Sequence, residues 1–223
     1  VCSSDLDNMD NHVVCMKSVR KQIKGHVILD NVSFEANEGE AYAIVGRNAS
    51  GKSMFLKAMC GLISVDAGTM QVFGDDIRSG KFPKNTGILI EHPGFLPQYS
   101  GYKNLKLLAE IQNTISPNRI SEAMELVGLD SSDTRPYRKY SLGMRQKLGL
   151  AQALMENPKL LILDEPMNNL DAESINHMRD VLHDLSKNGV TMIIATHLPE
   201  DVQMLCTVTY SINNGVLKKE GEK

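Results

Sequence analysis

No run of 18 predominantly apolar residues occurs anywhere in this 223-residue chain, so no part of it is expected to cross a membrane as a helix. Charge of one sign is also lacking. With 24 Lys and Arg against 27 Asp and Glu, the net charge of −3 leaves no basic footprint for a nucleic acid. The four cysteines, Cys2, Cys15, Cys60 and Cys206, have neither metal-binding nor redox spacing, which suits a reducing cytosol. Histidine gives no ligand set either: His177 and His183 fall on one expected helix but six positions apart, off a common face. No charged start precedes an apolar run, so no secretory signal is expected. The twelve methionines read as core fillers. What remains is a chain long enough for one sizeable core and a small helical lobe.

Against that plain background one stretch stands out. Gly46-Arg47-Asn48-Ala49-Ser50-Gly51-Lys52-Ser53 fits the pattern G-x-x-x-x-G-K-[ST]. The context gives it weight. Glu40 to Val45 is an apolar run of the kind a buried parallel strand shows. Lys52 to Cys60 predicts a helix with Met54, Phe55, Ala58 and Met59 on its apolar face. Strand, glycine loop and helix make a phosphate cradle: backbone N–H groups turn inward and the helix start adds partial positive charge. Lys52 would reach the β/γ-phosphates, and the Ser53 hydroxyl would ligate Mg²⁺.

A second stretch completes the chemistry. Leu160 to Leu163 is too short and too uniformly apolar for an amphipathic helix, so a central strand is expected. It delivers Asp164 and Glu165 to the carboxyl edge of the sheet, where open α/β folds bind ligands. Asp164 is placed to hold Mg²⁺ and Glu165 to orient or deprotonate an attacking water. The two stretches together predict ATP bound with Mg²⁺ and cleaved at its terminal phosphate.

Tyr140-Ser141-Leu142-Gly143-Met144-Arg145-Gln146-Lys147 resembles the signature of ATP-binding cassette (ABC) proteins, with Leu142 and Met144 in place of the commoner glycine and glutamine. Pro166 after the acidic pair, Asn169-Leu170-Asp171 as a D-loop, and Thr196-His197 after the apolar strand Val190 to Ala195 fall where that family puts them. The resemblance runs from Val13 onward. It implies an α/β P-loop NTPase with a mostly parallel sheet, an antiparallel β layer and a helical subdomain inserted at about residues 92–140. It implies that Ser141, Leu142, Gly143 and Met144 contact ATP held by a second subunit, in a homodimer or heterodimer of ATPase subunits. Ser141, a good N-cap residue, would offer the start of its helix to the γ-phosphate. His197 would fix that phosphate and the water, and Asp171 would communicate across the dimer. The partner implied is a separate integral membrane permease. The chain itself would be cytoplasmic, peripheral on the cytoplasmic face of the cell membrane.

Two departures narrow the resemblance. Where the family has a glutamine after the strand Thr86 to Ile90, this chain has Glu91, an acceptor only when ionised and a candidate third anion near the metal. Leu89 to Pro97 is similar to bacitracin-resistance and lantibiotic-immunity exporters, which implies export of a peptide antibiotic or another hydrophobic substrate. Adenine usually stacks on an aromatic residue near the first strands, yet none lies between Val13 and Ser33. Ile23, or less well His26, falls nearest that register.

The remaining organisation is read coarsely. Val13 to Val19, Val27 to Phe34 and Thr69 to Phe73 predict strands of the antiparallel layer. Tyr102 to Gln112 and Pro117 to Val127 predict the helices of the insertion, with Phe95, Leu96 and Tyr99 either packing it or docking the permease. Ala172 to Lys187 predicts a helix capped by Asn188-Gly189, and Asn214-Gly215 a terminal hairpin turn. Val1 to Leu6 is similar to what a common sequencing-adapter oligonucleotide encodes. Residues 1–12 are therefore expected to be a disordered tail, and residues 13–223 a single domain. Two other readings are weighed: a soluble ABC ATPase working on ribosomes or DNA, whose second cassette or long coiled coil has no room here, and a regulator that barely hydrolyses.

Overall fold

The computed structural model describes residues 12–77, 81–91 and 93–222. The tail expected over the first residues, up to residue 11, and His92 at the head of the insertion lie outside the described residues. In chain order the strands and helices are β1 (His12–Ile23), β2 (His26–Asn37), β3 (Ala41–Val45), α1 (Lys52–Met59), β4 (Ala67–Val72), β5 (Asp75–Asp76) and β6 (Thr86–Leu89). There follow α2 (Gly101–Gln112), α3 (Pro117–Leu126), a 3₁₀ turn at Tyr137–Lys139, α4 (Leu142–Leu154), β7 (Leu160–Asp164) and α5 (Ala172–Lys187). The chain closes with β8 (Thr191–Ala195), α6 (Pro199–Leu205), β9 (Val208–Asn213) and β10 (Val216–Glu222).

Two sheets form. One is antiparallel, in the order β2-β1-β4-β5; the other runs β10-β9-β3-β8-β7-β6, parallel from β9 to β6. The expected antiparallel layer beside a parallel core is present, with the added two-residue strand β5. β1 and β2 are longer than the sequence suggests. Register shifts interrupt their pairing around Val19 and Lys21, and Ser18 and Asn31 carry positive φ, so each strand bends where an extra residue enters.

The parallel strands β3, β7 and β8 are almost wholly buried because both of their faces are covered. Alternation sorts their side chains. Tyr42, Ile44, Leu160, Ile162 and Ile193 pack toward the antiparallel sheet and α1, with Phe34 and Phe55. Ala43, Leu161, Leu163, Met192 and Ile194 pack on the other side with α4, α5 and the helical insertion. Burial of this kind stabilises by about 25 cal/mol per Å² of apolar surface.

Register then decides where the chemistry falls. Ile44 pairs with Ala195, Asp164 with Ala195, and Leu89 with Leu163, so four strands end along one edge. The residues just beyond these ends are Gly46, Glu165, His197 and Glu91. That edge is the carboxyl side, where a ligand of an open α/β sheet sits.

Candidate active site

The glycine loop and α1 are built as the sequence predicts. Gly51 takes φ +112° at the N-cap and no side chain caps α1, so its first N–H groups are left for a ligand. Lys52 is 7% exposed, and its Nζ donates to Gly46 O at 2.8 Å. Ser50 Oγ is buried without a partner. The other wall of the cradle comes from the far end of the chain. A Cβ on Gly46 would lie 2.5 Å from Ile212 O, and one on Gly215 would lie 2.3 Å from Ile28 O. Only glycine allows these approaches. Gly215 N donates to Ser50 O and Asp30 N donates to Gly215 O, tying the Asn-Gly turn of the terminal hairpin to the loop and to β2.

Asp164 and Glu165 face Lys52 from the end of β7. Lys52 Nζ is 3.6 Å from Glu165 Oε1, and His197 Nδ1 is 2.7 Å from Glu165 Oε2. Against an ionised carboxylate Nδ1 is the donor, which leaves Nε2 for a second partner; the doubly protonated ring donates from both nitrogens. Glu165 holds φ +49°, an uncommon conformation that aims its side chain into the cleft. Three groups hold that backbone: its N–H donates to Ala195 O at 2.8 Å, its carbonyl accepts from Asn168 N at 3.1 Å, and Gln146 Nε2 donates to Glu165 O and to Pro166 O. Burial pushes the Asp164 carboxyl above its ordinary range, with Glu165 and Glu91 adding to the rise; the Ser53 hydroxyl and Lys52 pull it down.

Lys52, Ser53, Gln146, Asp164 and Glu165 line one cleft of about 610 Å³ with residues 47–51, Val27, Ile28, Asn168 and Asn169; His197 is not on its wall and touches it through Glu165. Its donors suit an anion. Ser53 and Asp164 offer hard oxygens, and Asp164 carries negative charge that nothing beside it fully balances, so the residues present fit Mg²⁺. Glu91 also lines the cleft, but its carboxylate is 63% exposed and pairs with Lys57 Nζ at 2.6 Å. Among the described residues no three His, Cys, Asp or Glu side chains gather closely enough to hold a metal. Ser53 and Asp164 are thus brought together, and Glu91 stands apart on Lys57.

The signature residues lie elsewhere. Ser141 caps α4, its Oγ accepting from Met144 N, as a good N-cap residue should. Ser141 and Leu142 are exposed and none of Ser141, Leu142, Gly143 and Met144 lines the cleft. Asp171 is exposed too, and caps α5 by accepting from Ser174 N, a bond that holds its carboxyl below the usual range. The lip of the cleft is formed by Val27 and Ile28; Ile23 and His26, expected from register, are not on it. The bulges in the β1–β2 hairpin explain the difference, since one inserted residue exchanges the two faces of a strand.

Four residues carried no role in the sequence reading. Gln146 lay inside the quoted signature but carried no role there. Lys57 lies within the expected helix Lys52 to Cys60, where nothing singles it out. Arg179 and Asp201 sit on different helices, and nothing local announces that they meet.

A second, apolar groove of about 390 Å³ runs beside the insertion, lined by Leu62, Phe82, Ile90, Phe95, Leu96 and Leu107 among others. Phe95 is mostly buried against Tyr137, with ring centroids 5.2 Å apart, so it packs the lobe. Phe82, Leu62 and Leu96 are exposed. Among the described residues no helix is long and apolar enough to cross a membrane.

Residues 29–168 match the family described as ABC transporter. The chain is 38% identical over 202 residues to the uncharacterized ABC transporter ATP-binding protein YybJ of Bacillus subtilis, covering 90% of this chain and 93% of that one. It is 34% identical to the bacitracin transport ATP-binding protein BcrA of Enterococcus faecalis over 94% of this chain and 69% of the relative. It is also 34% identical to the lantibiotic transport ATP-binding protein SrtF of Streptococcus pyogenes, covering 92% and 90% of the two chains. The fold matches the ATP-binding cassette MJ0796, solved as a dimer in a post-hydrolysis state with ADP and Pi, with a TM-score of 0.85 at 20% identity over 94% of this chain and 98% of that one.

Proposed function

We propose that this chain, which belongs to the ABC transporter family, is the ATP-binding and ATP-hydrolysing subunit of an exporter whose membrane permease is a separate polypeptide. One observation carries the reading: Lys52, Asp164 and Glu165 line a single cleft with the glycine loop, and His197 is bonded to that cleft through Glu165.

The open N–H groups of α1 and Lys52 would bind the β- and γ-phosphates. Ser53 and Asp164 would hold Mg²⁺, which when bound offsets phosphate charge. Glu165 would accept a proton from the attacking water, and His197, oriented through Nδ1, would keep Nε2 toward the phosphate. Val27 and Ile28 would take the adenine face with aliphatic contact, giving up part of the roughly 1–3 kcal/mol that an aromatic ring supplies per stacked base.

The exposed cap of α4 has no phosphate to serve in its own cleft. Ser141 and Gly143 would instead close on the γ-phosphate of a second ATPase subunit, identical or related, with Asp171 at the seam. Hydrolysis would loosen that closure, and the movement would drive the permease. The apolar groove beside the insertion, with Phe82, Leu62 and Leu96 open, suits a short helix of that permease at the cytoplasmic face of the membrane. Likeness to BcrA and SrtF supports export of a peptide antibiotic or another hydrophobic compound. Glu91, beside both cleft and groove, would report nucleotide state to the permease.

Glu165→Gln tests the reading. The variant is expected to bind Mg-ATP, stall turnover and accumulate a dimer on gel filtration. A monomer under saturating ATP would count against the contact between subunits.

A further inference from the structure

The loop that carries His197 is fixed by groups remote from the cleft. Thr196 and Asp201 are each 1% exposed. Thr196 Oγ1 donates to Asp201 Oδ2 at 3.0 Å and accepts from Leu198 N at 3.1 Å, so one hydroxyl ties both neighbours of the histidine. The other carboxylate oxygen, Asp201 Oδ1, accepts from Arg179 Nε at 2.8 Å and Nη2 at 2.7 Å. Arg179 comes from α5 and Asp201 from the first turn of α6. A buried carboxylate with its charge paired and both oxygens used is strongly located, because moving it would strand an ion in a low-dielectric interior. By contrast the His197 ring is half exposed, and its one bond is to Glu165.

We infer that Arg179, Asp201 and Thr196 are positioning residues for the hydrolytic step: the buried chain sets the place of His197 and, through it, the aim of Glu165. This inference rests on the ATPase reading above. If Arg179 and Asp201 merely fastened α5 to α6, loss of the Thr196 hydroxyl would lower stability and leave the turnover of folded protein alone. As a positioning chain it acts through His197 and on turnover rather than nucleotide affinity.

Thr196→Val keeps the branched shape and removes the hydroxyl. Purified variants are compared by steady-state ATP hydrolysis, by affinity for a fluorescent ATP analogue, and by thermal melting. Thr196→Val is expected to lower kcat about tenfold, the scale of small misplacements in a site, with analogue affinity within about twofold of the parent. Thr196→Ser restores the hydroxyl and should recover most of the rate. The decisive comparison is Thr196→Val in a His197→Ala background, where the substitution should cost no further rate because the group it positions is gone. Rates that multiply in the double variant, or an unchanged kcat in folded Thr196→Val, would overturn the inference. Should Thr196→Val fail to fold, Thr196→Ala, which leaves room for a water, carries the same comparison. A parent protein that does not hydrolyse ATP at all would instead refute the ATPase reading, and the inference with it.

Discussion

Gln146→Leu isolates the link between α4 and the turn that holds Glu165. The glutamine is 8% exposed, and its Nε2 donates to Glu165 O at 3.2 Å and Pro166 O at 2.9 Å. Leucine is close in size and removes both donors while leaving the two carbonyls where they are. A buried acceptor left unpaired costs about 1–3 kcal/mol. The Pro166 carbonyl is buried and loses its donor, whereas that of Glu165 keeps Asn168 N at 3.1 Å, which gives roughly 1–3 kcal/mol in all. In a chain of this size each kcal/mol moves the melting midpoint by about 2–4 °C, so a drop of roughly 2–12 °C is expected. Turnover should fall as well. A residue such as Glu165 at positive φ stores on the order of 1–3 kcal/mol of strain, held in place by its neighbours. Without Gln146 the backbone bonds from Glu165 N to Ala195 O and from Asn168 N to Glu165 O are left to hold it, and kcat should decline more than ATP affinity. Gln146→Glu sets an acceptor against two acceptors and should be the less stable of the two at neutral pH. Thermal melting followed by circular dichroism, with ATPase assays on the same samples, checks both parts. A midpoint within about 2 °C of the parent and unaltered turnover would refute the link.

Lys52→Ala should abolish ATP binding, read by equilibrium titration with a fluorescent analogue; unchanged affinity would remove the lysine from the cradle. Glu91→Gln, which breaks the ion pair with Lys57, should leave nucleotide binding intact and change only the stimulation of ATPase activity by the reconstituted permease. Lost binding would make Glu91 a structural residue. Asp164→Asn should stabilise the nucleotide-free protein at neutral pH and abolish hydrolysis. The sign follows from burial: because the folded-state pKa is raised, the contribution of Asp164 to stability is full below the ordinary carboxylate range, near pH 4, and is lost as pH rises through the raised value. The gain from asparagine should therefore shrink as melts are repeated at lower pH, and a gain that grew toward acid would contradict the assignment.

The parts of the site legible in the sequence are those in which chemistry and local structure share a short stretch. Gly46 to Ser53 announces both a loop and its ligand. Leu160 to Glu165 announces a buried strand and what lies at its end. Ser141, Asn188-Gly189 and Asn214-Gly215 mark caps and a turn because each depends on a few neighbouring backbone groups. The illegible parts arise from pairing across the fold. Lys57 meets Glu91 from another element, and Arg179 meets Asp201 from the helix that precedes β8 in the chain. Neither spacing has a period that would mark it. Val27 and Ile28, rather than Ile23, line the cleft for a related reason: register in a bulged hairpin cannot be counted from its ends. Phe95, Leu96 and Tyr99 could not be sorted until packing assigned Phe95 to the lobe and left Leu96 and Tyr99 in the open.

The bond from Gly215 N to Ser50 O has a consequence for synthesis on the ribosome. The segment that grips phosphate is translated early, yet one of its walls is a turn made after nearly all the rest of the domain. A nascent chain therefore carries the gripping loop for most of its emergence without the brace that sets it.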